Sequence, residues 1–209
     1  MNSAVPNSAC IILAGGQSSR MHYQDKALLS LGEERVIDLI LATLSPQVNH
    51  VAINANRNID VYQQLGVPVL PDSHGSDAGP IAGIHAGMHW ACEQLSGIDT
   101  VFCCPGDVPW FPDNTVALLS AAMQTHNVAV TYLSTDGQWQ PLFSLWSTSL
   151  LSTIEDSLKQ GLYSPMALIH SLPNAVVRLD NNAQGQFANL NTPQDLQFAQ
   201  KLLASQNRD

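Results

Sequence analysis

The sequence predicts an α/β fold in which a mostly parallel sheet is covered by helices on both faces. Short apolar runs alternate with helical patterns through about residue 127, which is typical of βαβ units. Residues 128–146 then form two apolar runs around a polar turn at 134–137, so we expect one antiparallel element. A length of 209 residues, 45% of them hydrophobic, suits one domain over residues 1–209, with residues 1–8 expected to be flexible.

Each element is predicted from its own pattern. The predicted strands are residues 9–13, 50–54, 67–70, 100–104, 128–133, 141–146 and 175–179. The predicted helices are residues 35–44, 58–65, 82–95, 113–124, 149–160, 164–171 and 193–205. The last helix has a local start signal, because Thr192 can cap it, Pro193 suits the first helical position and Asp195 lies three residues after the cap. Ligands of open α/β sheets bind beyond the carboxyl ends of the strands, so the site is expected in those loops.

Charge and hydropathy exclude two classes of partner. The chain has 8 Lys and Arg against 17 Asp and Glu, a formal net charge of −9, whereas sequence-independent nucleic-acid binding needs a basic face. No apolar stretch approaches the ~20 residues of a membrane span, and residues 1–9 lack the basic start of a signal peptide. We therefore expect a cytoplasmic protein that binds neither nucleic acid nor membrane.

The four cysteines, Cys10, Cys92, Cys103 and Cys104, form no CxxC pair. We interpret all four as reduced core cysteines of a cytosolic protein. Cys103 and Cys104 are neighbours on a predicted strand, so their side chains are expected to point to opposite faces of the sheet.

The loop after the first strand holds two of the chain's few cations. Gly15 and Gly16 follow the apolar run 11–14, and Arg20 and Lys26 come shortly afterwards. Paired glycines let backbone N–H groups approach phosphate oxygens, while Arg20 offers a fork of donors and Lys26 a point charge. The spacing matches neither the Walker P-loop nor the dinucleotide motif GxGxxG. The loop therefore predicts a site for nucleotide phosphates; the alternative is a glycine turn with two solvated cations.

Two carboxylates follow other predicted strands. Asp107 comes after the apolar run 100–104 and is placed either to hold Mg²⁺, which prefers oxygen ligands, or to form an Asx turn before Pro109. Asp72 ends another strand in the same way. Between them, residues 75–83 form a glycine-rich approach to a helix, which suits an anion or, equally, close packing of the helix on the sheet.

The histidines predict no further chemistry. His85 and His89 lie four residues apart on one helix face, but Ala86 replaces the Glu of the zinc motif HExxH. The sequence also lacks GxSxG and a Ser-His-Asp order. We therefore expect neither a zinc site nor a covalent nucleophile.

Five segments, in the same order, resemble the signature motifs of nucleotidyltransferases with a Rossmann-like fold. They are Leu13-Ala14-Gly15-Gly16-x-Ser18-x-Arg20-Met21 followed by Asp25-Lys26, Asn54-Ala55-Asn56-Arg57, Asp72 with Gly79-Pro80-Ile81-Ala82-Gly83, Cys104-Pro105-Gly106-Asp107-Val108-Pro109 and Asn189-Leu190-Asn191-Thr192-Pro193. Within that group, the chain is similar to the molybdenum cofactor guanylyltransferases over about residues 9–203. The resemblance implies the Rossmann-like nucleotidyltransferase fold.

The resemblance also implies a reaction. GMP is transferred from GTP to the molybdenum-pterin cofactor, which gives the guanine dinucleotide form of that cofactor and pyrophosphate. The terminal phosphate of the pterin attacks the α-phosphorus of GTP, with Mg²⁺ as the metal cofactor. Because this nucleophile is already an anion, the protein needs to supply positioning and charge stabilisation. Transient contacts with cofactor-delivery proteins and recipient molybdoenzymes are implied as well.

The motifs assign roles to individual residues. The nucleotide-binding residues implied by the resemblance are Leu13, Ala14, Gly15, Gly16, Lys26, Asn54, Asp72, Gly79, Gly83 and Asp107. The implied catalytic residues are Lys26 on the phosphates, Asp107 as the Mg²⁺ ligand and Arg20 as a further phosphate partner.

The two ends of the implied substrate pair fall on different motifs. Asn54 and Asp72 are expected to contact guanosine, whereas Asn189 and Asn191 are expected to face the reacting phosphates or the pterin, the second substrate. Relatives tend to carry basic residues near positions 161–165, and this chain has none there. The resemblance therefore does not explain how the pterin is held.

Three alternatives share most of these motifs. A CTP-dependent molybdenum cofactor cytidylyltransferase or a sugar-phosphate nucleotidyltransferase has the same loop architecture, although the pair Gly15-Gly16 favours guanine over the Ala-Ala-Gly more frequent in cytidylyl relatives. A non-catalytic nucleotide-binding adaptor is the third. Its support is the bulky run 22–24, where relatives usually have glycine, and the lack of cations near 161–165. The presence of both Lys26 and Asp107 argues against it.

Overall fold

A seven-stranded sheet lies at the centre of the chain, which the computed structural model describes over residues 4–14, 25–72, 78–179 and 186–206. The strands are β1 (Ser8–Leu13), β2 (Ser30–Leu31), β3 (Glu34–Arg35), β4 (His50–Asn54), β5 (Val69–Leu70), β6 (Thr100–Pro105), β7 (Val130–Thr135), β8 (Gln138–Ser147) and β9 (Asn174–Leu179). Within these residues the sheet order is β5-β4-β1-β6-β8-β7-β9, and β2 pairs with β3 in a separate hairpin. β8 runs antiparallel to β6 and β7, and the other pairs of the sheet are parallel. The predicted sheet class is confirmed.

Helices cover both faces of this sheet, as predicted. The α-helices of the described ranges are α1 (Val36–Leu44), α2 (Ile59–Gln63), α3 (Gly79–Gln94), α4 (Thr115–His126), α5 (Leu151–Lys159), α6 (Pro165–His170) and α7 (Pro193–Gln206). α3 begins three residues before the predicted start at residue 82, because Pro80 suits a first helical turn, where its missing N–H is not needed. α2 is shorter than the predicted helix 58–65.

Two turns differ from the sequence-based expectation. The predicted four-residue turn at 134–137 is a two-residue turn, because Ser134 and Thr135 still belong to β7. Asp136 and Gly137 both have positive φ, +49° and +77°, which is the geometry of tight hairpin turns. The β2–β3 hairpin is not predicted, since two-residue strands leave no periodic pattern to recognise.

The core has one layer on each face of the sheet, because successive residues of a strand point to opposite faces. In β1, Cys10 and Ile12 pack on the layer built with α1, α4 and α7, whereas Ala9 and Ile11 pack on the layer built with α3, α5 and α6. β1 is thus buried on both sides at the centre of the sheet. This central position places the carboxyl end of β1 between the carboxyl ends of β4 and β6.

The cysteines follow the predicted pattern with one exception. Cys103 and Cys104 pack in different core layers, as predicted, and burial raises the pKa of both thiols and of Cys10. Cys92 is exposed on α3, so its prediction as a core residue is wrong; position 92 falls on the solvent side of that helix. All four cysteines are free thiols.

Residues just before β1 make hydrogen bonds to the rest of the fold. Residues 1–3 of the expected flexible segment 1–8 lie outside the described part of the chain. Val5 N–H donates to the carbonyl of Gln47, and Ser8, already in β1, donates from its hydroxyl to the carbonyl of Val5. These contacts join residues 5–8 to the rest of the fold, and the flexibility of segment 1–8 stays a prediction. None of the described helices combines the length and apolar character needed to cross a membrane.

Candidate active site

A cavity of about 650 Å³ opens at the carboxyl ends of β1, β4 and β6, the edge at which ligands of open α/β sheets bind. Its walls include these residues named by the sequence motifs: Leu13, Ala14, Lys26, Asn54, Asp72, Gly79 and Asp107. Gly15, Gly16, Arg20 and the unusual run 22–24 lie outside the described residues. The motif residues that are described thus come together from distant parts of the sequence.

One polar cluster, named here the ionic end, consists of Lys26 and Asp107, which line the cavity, and Asn191, which contacts Lys26 but is not among the lining residues. Lys26 Nζ lies 2.9 Å from Asp107 Oδ2 and also donates a hydrogen bond to Asn191 Oδ1. The Lys26 and Asp107 side chains are 20% and 24% exposed, so a ligand can reach both. An ammonium has three donors, and two of them are used here. Within the described part of the chain, one donor of Lys26 therefore stays available for an anion in the cavity.

Gly106 brings Asp107 to the end of β1. Gly106 N–H donates to the carbonyl of Leu13 at 2.9 Å, and a Cβ at position 106 would lie 2.7 Å from that oxygen and 3.1 Å from Ala14 Cα. These neighbours are backbone atoms that cannot move aside cheaply, so only glycine fits. Gly106 belongs to the motif at residues 104–109 but is not among the predicted site residues.

Asn191 is held by the start of α7. Asp195 Oδ2 accepts from the backbone N–H groups of Asn191 and Thr192 at 2.9 and 2.8 Å, and Thr192 Oγ1 accepts from Asp195 N–H at 3.2 Å. This reciprocal cap is the one predicted from the sequence. Leu190 N–H donates to the carbonyl of Asp107, which ties the α7 loop to the β6 loop, while Asn189 is exposed.

The other polar cluster, named here the amide end, consists of Asn54, Asn56 and Asp72. Asp72 Oδ1 accepts from Asn54 Nδ2 at 2.8 Å, and Asp72 Oδ2 accepts from Asn56 Nδ2 at 2.6 Å. Asn56 Oδ1 in turn accepts from the backbone N–H of Asp72 at 2.8 Å. The carboxylate is therefore held from both sides by neutral amides.

Strand register explains why Asn56 meets Asp72. β4 and β5 are parallel, with Asn54 opposite Leu70, so the residues two positions further along each strand are Asn56 and Asp72. The motif residues 54–57 include Asn56, yet its role depends on which strand lies beside β4. Asn56 is therefore not among the predicted site residues, and the β4–β5 register is the signal that identifies it.

Gly83 lies beneath the amide end and is not among the residues that line the cavity. It is buried in α3, where a Cβ would overlap Asn54 Oδ1 and lie 2.6 Å from Leu13 Cδ2. Asn54 is itself 4% exposed and also donates to the carbonyl of Leu70 at 3.1 Å. The glycine therefore gives the Asn54 side chain the space that it occupies.

Asp25 anchors the segment that carries Lys26. It precedes a short 3-10 helix, Lys26–Leu28, and accepts from the N–H of Ala27 and from Asn58 Nδ2, both at 3.3 Å. Burial and the negative charge of Asp25 raise the pKa of Tyr62, so this phenol stays neutral. Asp25 and the exposed Arg57 also line the cavity, and neither was among the predicted site residues.

The histidine pair lines a second cavity, of about 450 Å³, whose walls also include Leu70 and Pro71. His85 Nε2 is 3.7 Å from Glu155 Oε1, and the exposed His89 Nε2 is 3.3 Å from Glu93 Oε1. Across the described ranges, no three His, Cys, Asp or Glu side chains are grouped so that they could hold a metal ion.

Known proteins are similar in sequence to this chain over most of its length. Residues 10–176 match the family described as the MobA-like NTP transferase domain. The molybdenum cofactor guanylyltransferase of Mesorhizobium japonicum is 35% identical over 201 residues, which cover 94% of this chain and 96% of that protein. The protein of the same name from Yersinia pestis is 35% identical over 190 residues, covering 91% and 93%.

Solved structures share the fold. Molybdopterin-guanine dinucleotide biosynthesis protein A from Archaeoglobus fulgidus superposes with a TM-score of 0.73 at 20% identity, covering 94% of this chain and 99% of that one. At this identity the similarity concerns the fold alone, and it confirms the Rossmann-like nucleotidyltransferase architecture. The family match and the two relatives confirm the resemblance carried by the motifs. The chain is a nucleotidyltransferase that belongs to the MobA-like NTP transferase family.

Proposed function

We propose that this protein transfers GMP from GTP to the molybdenum-pterin cofactor, giving the molybdopterin guanine dinucleotide cofactor and pyrophosphate. The observation that carries the proposal is the single cavity that has Lys26 and Asp107 at one end and Asn54 and Asp72 at the other. Such a cavity offers charge for phosphates and a polar surface for a base. Two relatives named molybdenum cofactor guanylyltransferase support the choice of substrates.

The ionic end is proposed to bind the triphosphate. Lys26 keeps one donor for a phosphate oxygen while it still contacts Asp107 and Asn191. Arg57 lines the same cavity and adds a second positive charge. Arg20, which lies outside the described residues, is proposed as a further phosphate partner. Leu13 and Ala14, which are uncharged, also line this cavity.

The carboxylate oxygens of Asp107 at the ionic end are suitable ligands for Mg²⁺. Asp107 presents a hard carboxylate group at the cavity wall, and Mg²⁺ in nucleotide sites is bound by one or two carboxylates together with substrate phosphates and water. A larger cluster of protein ligands is therefore not required. When bound, the ion supplies positive charge that offsets the repulsion between the nucleotide and the incoming phosphate. Asp107 is the residue proposed to hold it.

The reaction asks the chain for orientation and charge. A terminal phosphate oxygen of the pterin forms the new bond to the α-phosphorus of GTP, and the bond from that phosphorus to the β-phosphate bridging oxygen breaks. Pyrophosphate leaves with the electron pair. Lys26 offsets negative charge on the transferred group, and no general base is needed because the attacking oxygen is already an anion. Asn191 and the exposed Asn189 are proposed to face the pterin phosphate.

The protein is proposed to act in the cytoplasm. All four cysteines are free thiols, which suits a reducing compartment such as the cytoplasm. The pterin is proposed to arrive through transient contact with cofactor-delivery proteins and to leave towards recipient molybdoenzymes. The net charge of −9 disfavours nucleic acid as a partner.

The test is pyrophosphate release by the purified protein with Mg²⁺, the molybdenum-loaded pterin and either GTP or CTP. We expect release with GTP, and release with CTP at least tenfold slower. Faster release with CTP would assign the protein to the cytidylyl alternative. Binding of GTP without release in the presence of the pterin would support a non-catalytic adaptor instead. Mass spectrometry of the pterin product identifies the attached nucleotide.

A further inference from the structure

Three hydrogen bonds hold Asp72, two of them to its carboxylate oxygens and one to its backbone N–H. Asn54 supplies one of them, to Oδ1, whereas Asn56 supplies two: its Nδ2 donates to Oδ2, and its Oδ1 accepts from the Asp72 backbone N–H. The two bonds of Asn56 close a ring between its side chain and Asp72. Because the backbone N–H sets the orientation of the Asn56 amide, the Nδ2 donor has to face the carboxylate.

The two asparagines differ in their own surroundings. Asn54 ends β4, is buried, and is also held by the Leu70 carbonyl and by the space above Gly83. Asn56 is half-buried in the loop beyond β4. Asn54 is therefore part of the packed sheet edge, while the described contacts of Asn56 are directed at Asp72.

The bonds leave a defined pair of acceptors on Asp72. A carboxylate has about four lone-pair positions, and the two amides use one on each oxygen. Among the residues that the structure describes, no other group uses the remaining position on each oxygen, so Asp72 offers two adjacent acceptors to a ligand in the cavity that it lines. Such a pair matches a planar group that carries two adjacent N–H donors.

Guanine carries two such donors on its pairing edge, the ring N1–H and the 2-amino group. Adenine and cytosine each present an amino donor beside a ring acceptor, and uracil presents one donor between two carbonyl oxygens. A carboxylate held with both oxygens towards the base therefore favours guanine, and it repels the acceptor atoms of the other bases. The orientation of Asp72 then decides the selectivity.

We propose that Asn56 is a positioning residue for base selection: it holds the Asp72 carboxylate so that both oxygens face the N1–H and 2-amino group of guanine. This inference rests on the proposed guanine nucleotide site and adds a residue that determines its selectivity. Asn56 acts through Asp72 and does not take part in the transfer of the phosphoryl group. Its loss therefore changes nucleotide discrimination more than turnover at saturating GTP.

The experiment compares GTP with inosine triphosphate, which keeps N1–H and lacks the 2-amino group. Calorimetric dissociation constants are measured with Mg²⁺ for the unaltered protein and for Asn56→Asp and Asn56→Ala. Asn56→Asp is nearly isosteric: it retains an acceptor for the Asp72 N–H but replaces the Nδ2 donor by an oxygen that repels the carboxylate. Gln124→Ala, which removes an exposed amide on α4, is the control.

We expect the unaltered protein and the control to prefer GTP over inosine triphosphate by about tenfold, the effect of one hydrogen bond to a charged group. In both Asn56 variants the preference is expected to fall to threefold or less. GTP binding weakens about tenfold, with kcat for GTP within about threefold of the unaltered protein. Thermal unfolding of each variant shows whether the fold is kept, and Asn56→Asp still decides the question if Asn56→Ala fails to fold.

An equal loss of affinity for both nucleotides, with the preference kept, would overturn the role of Asn56 and leave the proposed function standing. An unchanged affinity for both nucleotides would overturn it as well. If the unaltered protein does not bind GTP, the proposed function fails first, and the inference fails with it. Loss of the preference for GTP over inosine triphosphate in the Asn56 variants, but not in the control, supports the positioning role of Asn56.

Discussion

The two ends of the cavity are built differently. The ionic end joins residues that are far apart in sequence, since Lys26 lies 81 positions from Asp107 and 165 from Asn191. The amide end is local, because Asp72 lies 18 and 16 positions from Asn54 and Asn56, on the ends of two adjacent strands. One end depends on the whole fold, and the other on a single strand pair.

The difference concerns what a ligand has to displace. At the ionic end, a partly exposed ion pair already balances the Lys26 charge, so an incoming phosphate has to share Lys26 with Asp107. At the amide end, neutral donors hold a carboxylate that is ready for a base. We infer that the ionic end drives the chemistry and that the amide end selects the nucleotide. Variants at each end should therefore change different measurements.

The largest effect is expected at the ionic end. Asp107→Ala removes the proposed Mg²⁺ ligand and Lys26→Ala removes the central positive charge, so each should lower guanylyl transfer by about 10³-fold. Both residues are partly exposed, so the fold should be kept. Pyrophosphate release and circular dichroism measure the two properties. Near-normal turnover by either folded variant would contradict the proposed role of that residue in guanylyl transfer.

At the amide end, Gly83→Ala should weaken GTP binding by about tenfold, because the added methyl group overlaps Asn54 and Leu13. The matched control is Gly87→Ala, one turn further along α3, where a Cβ would lie 2.6 Å from Ile11 Cβ, away from the cavity. Overpacking should reduce the free energy of unfolding of both variants by about 1–3 kcal/mol. Calorimetry at a temperature where both are folded compares GTP affinity. Equal affinities would show that Gly83 serves the core alone.

A smaller effect is expected where α7 meets the ionic end. Asp195→Ala removes the cap that fixes Asn191, so the free energy of unfolding should fall by about 1 kcal/mol. Turnover should fall by roughly three- to tenfold, because Asn191 no longer has a fixed position beside Lys26. GTP affinity should change little. A variant that loses stability with unchanged kcat would place Asn191 outside the reaction.

The smallest effect lies outside both ends, at the Arg35–Asp38 pair. The hydrogen bond and charge of Arg35 lower the pKa of Asp38, so the pair adds stability above the carboxyl's unfolded pKa near 4 and loses it as pH falls through the lowered value. Both side chains are about one-third exposed, so the contribution should stay below about 1 kcal/mol. Urea unfolding between pH 2 and pH 6 compares the unaltered protein with Asp38→Asn. We expect the two curves of stability against pH to converge at the acid end; a constant gap would remove the pair from the pH dependence.

Local signals in the sequence predicted local structure well. The α7 cap was predictable because Thr192, Pro193 and Asp195 act within one helical turn. The tight turn at Asp136–Gly137 was placed within a longer segment, since the strand continues into polar Ser134 and Thr135 that the hydrophobic pattern excludes. The order of strands in the sheet was not predictable from these patterns.

The candidate site shows the same limit. Lys26 and Asp107 were recognised because their motifs are distinctive, although their contact depends on two loops meeting across the end of β1. The sequence leaves segment 75–83 open between anion binding and packing, and the resemblance implies that Gly83 binds nucleotide. Its described contact is with Asn54, which is packing, and a role in nucleotide binding stays a prediction. Asn56 is not predictable as a site residue from its motif alone. Its partner Asp72 follows a different strand, and only the β4–β5 register brings the two together.

The most direct test of the division between the two ends is thermal unfolding with Mg²⁺ and each of GTP, CTP, ATP and UTP. A ligand that binds only the native state raises the melting temperature, so the shifts rank the affinities. We expect a clear rise with GTP and smaller rises with the other three. Gly83→Ala should bring the GTP rise down towards the other three, whereas Lys26→Ala should lower all four rises and keep their order. An equal rise with all four nucleotides, or a larger one with CTP, would contradict selection of guanine by the amide end.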